Sequence, residues 1–479
     1  MKVLTDMTPT PETQEIIYNS EDTMKTMALK EAFDEGLIPD WAQPGIRYSE
    51  LMLGPIMTMM RRGVQIDTTK RDRIVEDLRA RTATVQANFD YVCEKLWGTT
   101  INYNSTPQLK TLFFEFLAIP EQTKSKKGET KVATDREVLE RISRDYPRGA
   151  FFANHILRIR DLEKQVEFLT KKLSPSNRFH AAFNVAGTET FRLSSSEHPL
   201  RIGSNLQNIP KDARSCFVAD PGYVLFYSDQ QGAEARIVAY VSGDENYIAA
   251  VEGGDSHTMV ASMVFGFAPD RELAEREYYR GYSYRDITKR GAHGSNYYGK
   301  PFTLAQQMKV ETSVAEAFQA QYFRRFPGIS DWHGWVANQL QTKGYMTTPF
   351  GMRRTFWNRR WDDATLREAI AFVPQHCVGV LMNYGIYRIW ERFEGKPGAD
   401  VQIFLNLHDA VLGQVRIDKA DALLPEILEC LNFPFPVTDI KGIVREIVIP
   451  FDVELGYNWG KASDKNPDGL KKWRPNGKA

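Results

Sequence analysis

The chain of 479 residues carries no net charge, since 61 Lys and Arg are balanced by 61 Asp and Glu. That excludes a global electrostatic attraction to nucleic acid or to a membrane surface, so an anionic partner must be met by a local patch. Cysteine is scarce. Cys93, Cys216, Cys377 and Cys430 stand far apart without a CxxC pair, which argues against a disulfide framework or a zinc knuckle and fits a reducing compartment. The start, "MKVLTDMTPTPETQE", lacks the apolar core of a signal peptide, and no run reads as long enough to span a bilayer. Internal repeats and low-complexity tracts are also missing. The expectation is a cytoplasmic monomer with no membrane partner.

What the chain does have is 42% hydrophobic and 25% charged residues, a balance that suits several packed units rather than one core. Residues 1–45 are polar, punctuated by Pro9, Pro11, Pro39 and Pro44, and read as a lead-in segment. From 46 to 176 the periods are helical. "ELMLGPIMTMMRRGVQID" has an almost continuous apolar face, and "NSTPQLKTLFFEFLAI" opens with a Ser/Thr cap and Pro107 in its first turn. "EQTKSKKGETKVAT" reads as a solvated lysine-rich tip, and "HILRIRDLEKQVEFLTKKL" completes a long helical hairpin with a basic edge. After 177 the texture turns to strands in "RFHAAFNVA" and "GYVLFYSD", the latter feeding the helix "GAEARIVAYVSGD". Residues 255–345 are helical again. "VQIFLNLHDAVLGQVR" is an apolar hairpin turning at 408–410, and "REIVIPFDVELGYNW" supplies another strand. The fold class is α/β in the α+β sense.

Two acids stand out. Asp229 ends an apolar strand and Asp409 sits at the turn of an apolar hairpin. On neighbouring strands they would converge, and magnesium prefers such oxygen ligands shared with water and substrate phosphates. Two ions held in that way serve phosphoryl transfer. Taken singly, an aspartate after a strand is more often a turn or cap residue. A second pattern is the stripe in "RDITKRGAHGSNYYGK", where Arg285, Lys289, His293 and Tyr297 recur at four-residue steps and so share one helix face. It is either a solvated face or a column that meets a polyphosphate at its basic end and a planar base at its ring end.

Seven segments, in order, bear a family likeness: "TETFRLSSSEHPLRIGSNLQNIP", "SDQQGAEARIVAYVSGD", "GGDSHTMVASMVFG", "RDITKRGAHGSNYYG", "KGYMTTPFGMRRTF", "REAIAFVPQ" and "NLHDAVLGQV". From about residue 46 onward the chain resembles the polymerase portion of family A, DNA-polymerase-I-like, DNA polymerases, and its compact form is similar to that of bacteriophage replicases. The resemblance implies a right-hand fold with an antiparallel palm sheet, helical fingers and a helical thumb. The thumb would be 46–176, the palm 177–241 and 346–479, and the fingers 242–345. It also implies template-directed extension of a primer 3'-hydroxyl by deoxynucleoside triphosphates (dNTPs), with two Mg²⁺ ions, or Mn²⁺ as a substitute, at Asp229 and Asp409.

By the same resemblance His257, Arg285 and Lys289 meet the triphosphate, and Lys289 protonates the departing pyrophosphate. His293 stands where the family usually stacks Phe or Tyr on the nucleotide. Tyr297 matches the tyrosine of the template-base site, with Tyr298 as the alternative by one residue. Glu234 matches the acid that crowds the sugar 2' position. Arg192, Gln375 and His408 match contacts to primer-template DNA. Asn205, Gln207 and Asn208 either bond the template or brace the palm, and Arg236 is expected in a structural ion pair. Three positions depart from the pattern: Ala410 replaces an acid, so a third carboxylate is missing; Ala371 replaces Asn; and Phe191 replaces Gly.

"YNSEDTMKTMALKEAF" resembles the last motif of the family's 3'-to-5' exonuclease, with Tyr18 and Asp22 in its pattern, but the earlier acidic motifs are absent. A two-metal nuclease needs several converging carboxylates, so no self-contained proofreading is expected, and a separate exonuclease or processivity subunit is a candidate partner. Two other classes remain open on sequence alone: an inactive primer-template clamp, and an RNA-synthesising or RNA-templated polymerase on the same fold.

Overall fold

The computed structural model describes residues 11–126, 129–357, 360–394 and 398–474. Its centre is a five-stranded antiparallel sheet in the spatial order Val401–Asn406, Ala410–Arg416, Tyr223–Gln230, Phe451–Gly456, Lys471–Lys472. The strand Tyr223–Gln230 lies between two neighbours, with Val224, Phe226, Ser228 and Gln230 buried on one face and Tyr223, Tyr227 and Asp229 only half-buried on the other. Its register sets the site. Asp229 faces Ala410 on one side and Asp452 on the other.

Two helices support the edge strand Val401–Asn406. Gln43–Arg62 turns Tyr48, Met52, Ile56 and Met59 inward, and Asp363–Phe393, capped by Asp362 accepting from the Thr365 amide, is buried along most of its length. Contrary to the sequence reading, Asp363–Phe393 is long and apolar enough to cross a membrane. However, 83% of its most apolar window is buried within the fold, the environment of a core helix.

The helical region expected at 46–176 has its own core, built from Phe89, Phe113, Leu139, Phe152 and Ile156. Thr68–Trp97 packs along Pro147–Leu169, as the hairpin reading required. The segment between them is more than a loop. The lysine-rich stretch forms strands Thr123–Lys126 and Glu129–Val132, and Arg136–Asp145 adds a further helix. Another core gathers the helices Ala233–Ser242, Tyr284–Asn296, Thr312–Arg325 and Pro327–Thr342.

Two strand expectations and one helical expectation need correction. "RFHAAFNVA" breaks into Arg178–Phe179 and Ala182–Asn184, which belong to different sheets. "REIVIPFDVELGYNW" likewise splits, because Pro450 has no amide hydrogen to continue a ladder. Val444–Ile447 pairs with Phe435–Thr438, while Phe451–Gly456 joins the central sheet. The helical run 255–345 is interrupted by the hairpin Glu277–Tyr279 and Tyr282–Ser283. The lead-in contains the helix Pro11–Asp34; the side chains of Tyr18 and Asp22 lie outside the described residues.

Candidate active site

A cleft of about 680 Å³ opens where the central sheet meets the helices of the second core. Its walls include Arg192, Glu234, His257, Lys289, His293, Tyr297, His408 and Asp409, so most of the side chains singled out in the sequence converge. Asp229 is not among its lining residues but directly precedes Gln230, which is. Asp409 precedes Ala410, the cross-strand partner of Asp229, and the Gln230 amide donates to the Asp409 carbonyl at 3.0 Å. The two acids therefore sit at adjacent ends of neighbouring strands.

Burial first, and then the charges of Asp452, Glu454 and Asp409, push the Asp229 carboxyl up to about 6. Asp452 and Glu454 were missed in the sequence. Residues directly opposite in an antiparallel pair share a face, and the pairs Asp452–Asp229 and Glu454–Tyr227 therefore place both acids on the Asp229 face. Their signal was the alternation Asp452, Val453, Glu454 within an apolar strand. Lys472 offsets part of this charge, with its Nζ 2.9 Å from Asp452.

Among the described residues, no group of three or more His, Cys, Asp or Glu is arranged to hold a metal ion. Two carboxylates in a field of only partly compensated negative charge nonetheless fit a hard cation that completes its shell with water and substrate phosphate.

The stripe lies on the helix Tyr284–Asn296, which starts in a reciprocal capping box between Ser283 and Asp286. Gly291 and Gly294 turn to the core; a Cβ at Gly291 would lie 2.4 Å from the Phe318 ring, and one at Gly294 2.4 Å from Leu304. This close packing fixes the helix, and Lys289, His293 and Tyr297 face the cleft. Arg285 does not line it. Its Nη2 is 3.1 Å from Asp255 Oδ1 and its Nε 3.3 Å from Oδ2, and Asp255 also takes Arg271 at 2.6 Å. Burial alone would raise the Asp255 carboxyl, but hydrogen bonds from Arg285, Thr258 and Arg271 hold it well below the usual carboxylate range. His257, two residues on, is pushed down by burial and by Arg285 and Lys289.

Glu234 enters from the first turn of Ala233–Ser242, immediately after Gly232, whose φ of +59° makes the tight exit from the strand. Its Oε1 accepts from Arg192 Nη2 at 2.9 Å and its Oε2 from the Tyr297 hydroxyl at 2.7 Å. His293 Nδ1 lies 3.8 Å from Oε2, and the His293 and Tyr297 rings meet edge to face at 5.0 Å. Burial and then Glu234 push the Tyr297 phenol far up, which keeps it a donor. Tyr298 takes a different course. At φ +58° it packs edge-on against His333 and beneath the Lys300 ammonium, away from the cleft wall.

A match to the family model described as DNA polymerase family A extends over residues 72–461. The chain belongs to DNA polymerase family A. It is 28% identical over 483 residues to DNA polymerase I of Chloroflexus aurantiacus, covering 95% of this chain and 47% of that protein. It is 30% identical over 393 residues to the thermostable DNA polymerase I of Thermus aquaticus, covering 77% and 43% respectively. The chain thus spans about half the length of the curated relatives it matches. A solved structure described as the POL domain of Pol1 from M. smegmatis, in complex with DNA primer-template and dNTP, superposes with a TM-score of 0.68 at 26% identity, covering 90% of this chain and 72% of that one. These relatives are bacterial and lend no support to the bacteriophage-like origin expected from the compact form. Family A DNA polymerases generally use divalent metal ions.

The remaining expected contacts of this family A member fall outside the cleft wall. Gln375 is half-buried, and its carbonyl accepts from Arg192 Nε at 3.1 Å. Asn205 accepts from the Gln207 amide at 2.8 Å, and Gln207 Nε2 donates to Leu193 and Asn406, so this pair braces the sheet. Arg236 forms the expected ion pair, 2.6 Å from Glu252.

Proposed function

We propose that this chain is a template-directed DNA polymerase that extends a primer 3'-hydroxyl with dNTPs. The reading rests chiefly on one observation: Asp409, Lys289 and a doubly anchored Glu234 face a single cleft beside Asp229. The M. smegmatis structure, described with primer-template and dNTP, supports it. In this reading 46–176 is the thumb, 177–241 and 346–479 the palm, 242–345 the fingers, and 1–45 a lead-in.

The primer 3'-hydroxyl gives its proton to solvent water as its oxygen attacks the α-phosphorus, the bond from that phosphorus to the α–β bridging oxygen breaks, and pyrophosphate leaves with that electron pair. Asp229 and Asp409 would hold two Mg²⁺ ions, or Mn²⁺ in their place, and bound there the ions supply positive charge to the attacking and leaving oxygens. The chain's own side chains do the rest. Lys289 and His257 receive the triphosphate, and Lys289 gives a proton to the leaving pyrophosphate. Arg285 joins them by exchanging Asp255 for phosphate. Glu234, held by Arg192 and Tyr297, closes the space a 2'-hydroxyl would need, while His293 and Tyr297 flank the base. Arg192, His408 and Gln375 follow the primer-template minor groove, where each base pair offers acceptors. A separate exonuclease or processivity subunit would act alongside a monomer of this chain in the cytoplasm.

Single-nucleotide extension with deoxy- and ribonucleotides on DNA and RNA templates tests the reading. Extension by dNTPs on DNA is expected; failure to extend, or preference for ribonucleotides, contradicts it.

A further inference from the structure

Among the residues other than glycine that adopt left-handed backbone are Phe191 at φ +59°, next to Arg192, and His408 at φ +73°, next to Asp409. Such conformations cost energy in L-residues and persist only where the surroundings over-determine them. The surroundings here are a one-way chain of hydrogen bonds. The His408 amide donates to Asn406 Oδ1 at 3.0 Å. Asn406 Nδ2 donates to Asn383 Oδ1 at 2.7 Å. Asn383 Nδ2 donates to the Tyr48 hydroxyl, and that hydroxyl donates to the Phe191 carbonyl at 2.9 Å.

Each group acts in the sense its neighbours leave it. The phenol must give its proton to a carbonyl, so its oxygen is free to accept from an amide, which then turns its own oxygen toward the next amide. Gln207 closes the circuit by donating to Leu193 O at 3.0 Å and to Asn406 Oδ1 at 3.2 Å. The backbone of Arg192 is therefore gripped on both sides. Tyr48, Asn383 and Asn406 are at most 1% exposed, and neither Tyr48 nor Asn383 lines the cleft. A buried polar chain of this kind is costly unless complete, and complete it holds a single geometry.

We propose that Tyr48 and Asn383 are positioning residues that lock Arg192 and the His408–Asp409 turn into one register. They act through the Phe191 carbonyl at one end and the Asn406 amide at the other. Arg192 carries the effect onward to Glu234, so the relay also sets how firmly that carboxylate is held. The inference rests on the polymerase reading for its kinetic consequence only; the coupling of the two strained segments is a property of the fold.

The test is Tyr48→Phe, which removes one hydroxyl. For dNTP incorporation kcat is expected to fall roughly tenfold, the scale of one buried hydrogen bond, with a smaller change in KM and a narrower preference for deoxy- over ribonucleotides. In an Arg192→Ala background the same substitution should add almost nothing to the loss of deoxy- over ribonucleotide preference, because the path to Glu234 is already cut, while its effect on kcat through the His408–Asp409 turn persists. Unchanged kinetics in folded Tyr48→Phe, or a loss of deoxynucleotide preference that simply adds to that of Arg192→Ala, overturn the proposal. Amide exchange gives a readout without turnover: Tyr48→Phe should speed exchange in both 188–193 and 406–409, and faster exchange in only one segment rejects the coupling. If Tyr48→Phe does not fold, Asn383→Ala is measured in the same way. Failure of the unaltered chain to extend primers would reject the polymerase reading instead, and the exchange result would still decide the relay.

Discussion

Asp452 lies directly across the central sheet from Asp229, on the side opposite Ala410. The position where the family often carries an acid after its His-Asp pair is apolar here, yet acidic charge returns from a strand more than 200 residues away in sequence. Burial first, and then these neighbouring charges, let the Asp229 carboxyl hold its proton up to about 6.

That raised value makes a prediction for the metal-free protein. Unfolded, the group releases its proton near 3.8; folded, near 6. Between those values the folded state binds more protons than the unfolded state, so stability falls as pH rises through the window. Melting temperatures in a chelator should show Asp229→Asn nearly equal to the parent at about pH 4 and more stable above about pH 6. Saturating Mg²⁺ should stabilise the parent at neutral pH and leave the variant unmoved. A parent that gains on Asp229→Asn with rising pH would contradict the arrangement.

Asp255 holds Arg285, so an incoming triphosphate competes with a carboxylate for that guanidinium. Asp255→Asn keeps a residue able to cap the helix Ser256–Phe265 and removes the competing charge. Pyrophosphate inhibition should tighten about fivefold, the scale of one partly exposed ion pair. Weaker inhibition would mean that Asp255 orients Arg285 for the phosphate rather than competing with it.

Tyr297 and Arg192 hold the two oxygens of Glu234 from opposite sides. Tyr297→Phe keeps the ring against His293 and frees one oxygen. The ratio of deoxy- to ribonucleotide incorporation should drop roughly tenfold, with thermal stability little changed. Tyr298→Phe, whose ring packs on His333 instead, should leave the ratio alone.

Much of this site was legible in the sequence because its parts announce themselves locally. Asp229 and Asp409 follow apolar strand patterns, and the spacing of Lys289, His293 and Tyr297 is that of one helix face. The rest depended on pairings that local pattern does not encode. Asp452 became a neighbour of Asp229 through strand order, and Arg285 is drawn off the cleft wall because Asp255, the cap of a different helix, pairs with it. Asn383 and Asn406 were single polar residues in apolar runs, and Tyr48 one residue in the polar stretch 47–50, meaningful only once three elements brought them together. The break in "REIVIPFDVELG" turned on Pro450, whose missing amide hydrogen outweighed the apolar run around it.

The central claim is that Asp229 and Asp409 together hold the cations that serve the reacting phosphate. Single-turnover incorporation of one deoxynucleotide, measured across a Mg²⁺ titration for the parent, Asp229→Asn and Asp409→Asn, tests it most directly. Each variant should lose at least about a thousandfold in rate without recovery at high Mg²⁺, while still binding primer-template. A rate for either variant within about tenfold of the parent would contradict the account.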